Sequence, residues 1–140
     1  MNLKFKFDCE NIDWNKVSEI LKTVGMAYYE GELHRKAFEN SYVVVFVFDE
    51  DRLIGLGRAL SDGAYQAALY DIAVLPEYQG NNIGTEIMNR ILEKVQQFNV
   101  ILYASPGKEI FYKKLKFRML KTGMALFTNP VKMKERGIIE

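Results

Sequence analysis

A mixed α/β sandwich in one domain spanning residues 1–140 is the fold class that three features of the sequence predict. Between residues 42 and 75 lie three apolar, β-branched runs separated by turn signals. Residues 83–98 then carry a strong helical stripe. Strand-like and helix-like patterns flank this pair on both sides, giving the order β-α-α-β-β-β-α-β-α-β-β.

Each element follows from its own residues. Leu3-Lys4-Phe5-Lys6-Phe7 alternates apolar with charged, the period of a half-buried strand. Asp13 is a candidate N-cap, after which Trp14, Val17, Leu21 and Val24 recur at helical spacing until Gly25. Residues 26–35 are aromatic and acidic without periodicity and read as a connection into a second short helix at 33–40. Residues 42–48 and 53–60 flank Asp49-Glu50-Asp51 and form an antiparallel hairpin; Ser61-Asp62-Gly63 turns the chain back into a central strand at 65–75. Ile83, Ile87, Met88, Ile91, Leu92, Val95 and Phe98 make the apolar face of the long helix, with Glu86, Arg90, Glu93 and Lys94 toward water. Residues 99–104 read as a buried strand, 108–115 as a short helix and 119–127 as one or two last strands around Gly123. Residues 132–140 are polar and read as a frayed end.

Composition narrows the function. With 49% hydrophobic and 26% charged residues the chain is globular, and its net charge of +1 supplies no basic field for nucleic acid or an anionic membrane. The longest apolar run falls far short of the roughly 20 residues that span a bilayer, and the first residues lack a signal-peptide pattern. A single cysteine, Cys9, excludes an internal disulfide and points to a reducing compartment, with the cytoplasm as the expected location. One histidine and one cysteine make a closed zinc site unexpected, so no metal is called for.

The stretch Tyr70-Asp71-Ile72-Ala73-Val74-Leu75-Pro76-Glu77-Tyr78-Gln79-Gly80-Asn81-Asn82-Ile83-Gly84-Thr85 reads as strand, turn and helix start. Backbone N–H groups of such a loop, with the positive end of the helix dipole, form an anion site that needs no lysine. The Gly-Lys-Ser/Thr ending of a nucleotide triphosphatase loop is missing.

Gln79 through Gly84 resembles the Gln/Arg-x-x-Gly-x-Gly/Ala pyrophosphate loop of the GNAT superfamily of acyl-CoA-dependent N-acyltransferases, with Asn82 standing where the first glycine is usual. Asn is the side chain best suited to the left-handed backbone that position requires. Downstream, Phe111-Tyr112-Lys113-Lys114-Leu115-Lys116-Phe117 resembles the Phe-Tyr-x-x-Leu-Gly-Phe signature, with Lys116 in place of glycine at a cost of about 1–2 kcal/mol.

The resemblance implies a GNAT-like sandwich, its mostly antiparallel sheet splayed between the central strand and the strand after the long helix. It implies acetyl-CoA as co-substrate, with Ile72, Ala73 and Val74 as backbone partners of pantetheine. Gln79, Gly80, Asn81, Asn82, Ile83, Gly84 and Thr85 would cradle the pyrophosphate, and Tyr112 would protonate the leaving thiolate. An ordinary phenol titrates near pH ~10 and holds that proton at neutrality. The base that takes the amine's proton is sought among Asp71, Glu30, Glu32 and His34. Asp71 reads equally as a base or as the partner of an arginine such as Arg58, whereas His34, beside Arg35, reads as exposed. Tyr28, Tyr29, Glu30 and Glu32 suit either a cationic amine or a solvated turn. The expected activity is N-acetylation of a small primary amine by direct transfer in a ternary complex. The alternative is a CoA-binding sensor or partner-binding module of the same fold. Edge strands at both ends of the sheet would allow a homodimer.

Overall fold

The computed structural model describes residues 1–140, which divide into two compact units, Met1–Leu102 and Tyr103–Glu140. The first unit holds the whole sheet. Strands β1 (Leu3–Lys6), β2 (Val43–Asp49), β3 (Arg52–Ser61), β4 (Gln66–Val74) and β5 (Asn99–Ile101) lie side by side in chain order. Pairing is antiparallel from β1 to β4 and parallel between β4 and β5, so the sheet is mixed and mostly antiparallel.

Helices α1 (Trp14–Thr23) and α2 (Gly31–Glu39) follow β1, and α3 (Ile83–Val95) lies between β4 and β5. The Asp13 carboxylate accepts from the Asn15 N–H and starts α1. Trp14 and Phe38 both pack on Phe46, fixing α1 and α2 to one face of the sheet. Strand alternation turns Val45 and Val47 to the other face, where α3 packs. Two glycines of β3 make room for it. A Cβ on Gly57 would lie 2.7 Å from Ile72 Cδ1 and 2.9 Å from Ile87 Cγ2, with Ile91 also in contact. Gly57→Ala is therefore expected to lower stability by about 1–3 kcal/mol through overpacking, read as a lower urea midpoint at unchanged slope.

The β3–β4 ladder contains the feature that shapes the site. Leu56 pairs with Ala73 but Arg58 pairs with Tyr70, so Asp71 and Ile72 together oppose Gly57. This is a β-bulge, with Asp71 left-handed at φ 61°. Further along the same strand, β5 pairs only with Gln66, Ala67 and Ala68. From Leu69 onward β4 has no β5 partner, which is the splay expected from the sequence.

The second unit corrects two expectations. It contains α4 (Glu109–Lys114) and α5 (Pro130–Glu135) and no strand. Residues 119–127 were expected to be strands, but Met124 and Leu126 stand fully exposed and no ladder forms. A strand there would need a neighbour to take its backbone hydrogen bonds, and the unit contains none. Residues 132–140, expected to fray, instead contribute to α5: Asn129 accepts from the Lys132 N–H, Pro130 occupies the first turn and a left-handed Gly137 ends the helix. In the first unit, β5 is shorter than residues 99–104 and not buried, because it is the outermost strand of the sheet and leaves Ile101 53% exposed.

Candidate active site

The loop after β4 begins with a short 3-10 helix (Pro76–Tyr78), because Pro76 fixes φ and cannot extend the ladder. Side chains then fasten the loop from both ends. Gln79 Nε2 donates to the Val74 carbonyl at 2.9 Å, and Asn81 Nδ2 donates to the Tyr78 carbonyl at 3.1 Å. Tyr78 Oη donates to Asp49 Oδ2 at 2.6 Å, and Arg52 pairs with Glu77 at 3.0 Å, tying the loop to the β2–β3 turn.

Gly80 and Asn82 are both left-handed, at φ 83° and φ 60°. Asn82 thus takes the conformation that the glycine it replaces would take, and its carbonyl accepts the first α3 bond from Glu86 N–H at 3.0 Å. The N–H groups of residues 80–85 have no acceptor in the protein. Six consecutive unpartnered donors at the start of a 13-residue helix, beside the unpaired edge of Ile72, Ala73 and Val74, make a cradle for phosphate oxygens. These residues therefore fit a phosphate-bearing coenzyme.

On the α1–α2 face of the sheet the bulge turns Asp71 toward Arg58, whose Nε donates to Oδ2 at 2.7 Å. Of the two alternatives for Asp71, the arginine partner is the one realised at Oδ2. The guanidinium lies over the rings of Phe38 and Tyr70. His34, expected to be exposed, is only 4% exposed. It lies on the inward face of α2 with Phe38, four residues on, and its Nε2 accepts from the Tyr29 N–H at 2.9 Å. Burial holds its pKa below the ordinary value; Asp71 pulls upward and Arg58 adds to the depression.

Tyr28, Tyr29 and Glu30 come together with Asn15, Ser18, Glu19, Lys22 and Gly31 around an open groove of about 420 Å³. Glu32 does not line it and faces Arg35 instead, at 3.8 Å. No three His, Cys, Asp or Glu side chains converge as a metal site.

Residues 8–117 match the profile of the acetyltransferase (GNAT) family. The chain belongs to the GNAT acetyltransferase family. An uncharacterized N-acetyltransferase ycf52-like protein of Prochlorococcus marinus is 33% identical over 109 residues, covering 73% of this chain and 61% of the relative. Serotonin N-acetyltransferase 2, chloroplastic, of Oryza sativa is 30% identical over 115 residues, covering 77% of this chain and 58% of the relative. The chain thus spans less than two thirds of the length of these curated relatives. Among solved structures, a Staphylococcus aureus protein described as a probable acetyltransferase superposes with a TM-score of 0.79 at 29% identity, covering 89% of this chain and 98% of that one. A GNAT family acetyltransferase of Streptococcus pneumoniae gives 0.76 at 26%, covering 90% and 98%.

The second GNAT signature lies on α4, in the second unit. The Phe117 N–H donates to the Tyr112 carbonyl at 3.1 Å and the Lys116 N–H to the Lys113 carbonyl at 3.0 Å, closing a Schellman cap with Lys116 left-handed at φ 76°. Lysine therefore keeps the glycine geometry. Tyr112 packs edge-on against Phe111 and Phe117, and burial raises its phenol pKa above the ordinary value.

Sequence reasoning gave no weight to the fastening residues Asp49, Arg52 and Tyr78. It also misjudged His34. A signal was present for His34, which precedes the core residue Phe38 by one helical turn, whereas the pairs Asp49–Tyr78 and Arg52–Glu77 join residues 29 and 25 apart and had none.

Proposed function

We propose that this GNAT chain transfers an acetyl group from acetyl-CoA to the primary amine of a small molecule, directly and within a ternary complex. The observation that carries the reading is the row of six unpartnered N–H groups at residues 80–85 beside the unpaired edge of β4. Those donors would hold the pyrophosphate, and the backbone of Ile72, Ala73 and Val74 would pair with pantetheine and polarise the thioester carbonyl. In the proposal Tyr112 supplies the proton to the leaving thiolate. Asp71 takes the amine's proton: Arg58 holds Oδ2, while Oδ1 accepts no hydrogen bond within the protein. The family match runs from the first unit into the second, and supports treating both as one N-acetyltransferase domain.

The groove of Tyr28, Tyr29 and Glu30 is the proposed amine site: Lys22 already lies over the Tyr28 ring, and the Tyr29 ring with the carboxylates of Glu19 and Glu30 suits a small cation beside it. Relatives include one named for serotonin and one named a histone acetyltransferase, so the amine screen contains tryptamine-type amines and a lysine peptide. The reading includes the cytoplasm as the compartment, in keeping with the free thiol of Cys9. No helix is long and apolar enough to cross a membrane. A second subunit would pair at the outermost strands, β1 or β5.

Calorimetric titration tests the coenzyme half before any amine is known. Saturable binding of acetyl-CoA and desulfo-CoA, but not ATP, is the expected result. Asn82→Gly is expected to change that affinity by less than about threefold, because Asn82 already has the backbone a glycine would supply. Absence of CoA binding would overturn the proposal.

A further inference from the structure

Tyr29 belongs to the connection between α1 and α2, yet both polar groups of its backbone are held. Its N–H donates to His34 Nε2 on α2, and its carbonyl accepts from Ser18 Oγ on α1. The two rings also pack, with centroids 5.6 Å apart. A residue that is 53% exposed is thus fixed by its backbone to a histidine that is 4% exposed. Tyr29, Ser18 and their neighbours line the groove.

The bond to His34 exists only in one protonation state. Because Nε2 accepts, the proton of the neutral ring sits on Nδ1. An imidazolium has donors at both nitrogens and would face the Tyr29 N–H with another N–H. We propose that His34 is a pH-sensitive positioning residue: neutral, it holds Tyr29 and the groove wall in place, and protonated, it releases them and weakens amine binding without affecting the coenzyme loop.

The groups acting on the ring come from several elements. Asp71 on β4 favours the imidazolium, Arg58 on β3 opposes it, and Tyr29 covers the ring from the α1–α2 connection. Burial outweighs Asp71, so the folded pKa lies below the unfolded value of ~6.5. A depressed value means that the unfolded chain binds the proton first as pH falls. The stabilisation is therefore complete above about pH 6.5 and is lost as pH drops through the folded value.

The amine-binding half of this inference rests on the function proposed above, whereas the imidazole half does not. The first measurement is nitrogen NMR of the full chain labelled at histidine and tyrosine, between pH 8 and 5. His34 is expected as the Nδ1–H tautomer, and protection of the Tyr29 amide, corrected for intrinsic exchange, is expected to fall about three- to tenfold as His34 protonates. An Nε2–H tautomer, or Tyr29 protection that ignores the His34 titration, would overturn the proposal.

His34→Gln retains an acceptor without a titration in this range, so Tyr29 protection should become independent of pH. His34→Leu should lack that protection throughout. In turnover with tryptamine and acetyl-CoA, the amine KM of the wild type should rise as pH falls, that of His34→Gln should stay flat, and the acetyl-CoA KM should not move. Parallel pH dependence in wild type and His34→Gln overturns the inference. Absence of turnover with every amine overturns the function reading and the amine half with it, leaving the NMR result to decide the imidazole half.

Discussion

Tyr112→Phe is expected to lower kcat for acetyl transfer by about 10²–10⁴-fold, the usual contribution of a positioned proton donor. The acetyl-CoA KM should change by less than about twofold, since the hydroxyl is assigned to the departing thiolate and not to holding the coenzyme. Phe retains the ring that packs against Phe111 and Phe117, so stability should be almost unchanged. That separation makes the variant informative: a fall in kcat with an unmoved unfolding midpoint is chemical. The pH profile gives a second check. Burial raises the phenol pKa, so the wild type should keep its proton donor up to and above pH ~10, and the high-pH limb should vanish in the variant. An unchanged kcat in Tyr112→Phe would mean that another group, or water, protonates the thiolate.

The contrast between the two units explains what could be read from the sequence. In the first unit local signals agreed with the packing. The 83–98 stripe had to face a sheet, the 42–75 runs had to supply that sheet, and Asn82 was recognisable as a side chain tolerant of left-handed backbone. His34 failed because Arg35 stands beside it, while the groups that act on its buried ring come from β3, β4 and the connection before α2. Apart from the one-turn spacing of His34 to Phe38, these contacts carry no local signature. In the second unit the apolar residues of 119–127 suggested strands, but apolar content encodes only a tendency to bury side chains. A strand also requires a neighbour to take its hydrogen bonds. For α5 the reverse held: the apolar content was slight, and the caps at Asn129 and Gly137 were the real signal.

Arg58→Leu should cost about 3 kcal/mol of stability, near the lower end for breaking a buried ion pair, because both side chains retain some contact with water. The charge lost is not the whole effect. Leucine also leaves Ser41 without the 3.4 Å donor and removes the guanidinium from over Phe38 and Tyr70. Most of the penalty, however, comes from Asp71, which the bulge still holds with its carboxylate turned inward. Relief should come from Asp71→Asn in the same chain, since Asn tolerates φ 61° and carries no charge. The double variant is therefore expected to regain at least about 1 kcal/mol over Arg58→Leu alone, measured by urea unfolding in a double-mutant cycle. Additive losses would mean that the two residues are not energetically coupled. Activity separates the remaining roles of Asp71: as the amine's base it should be missed in Asp71→Asn even where the fold is intact, whereas a purely structural carboxylate would leave kcat unmoved.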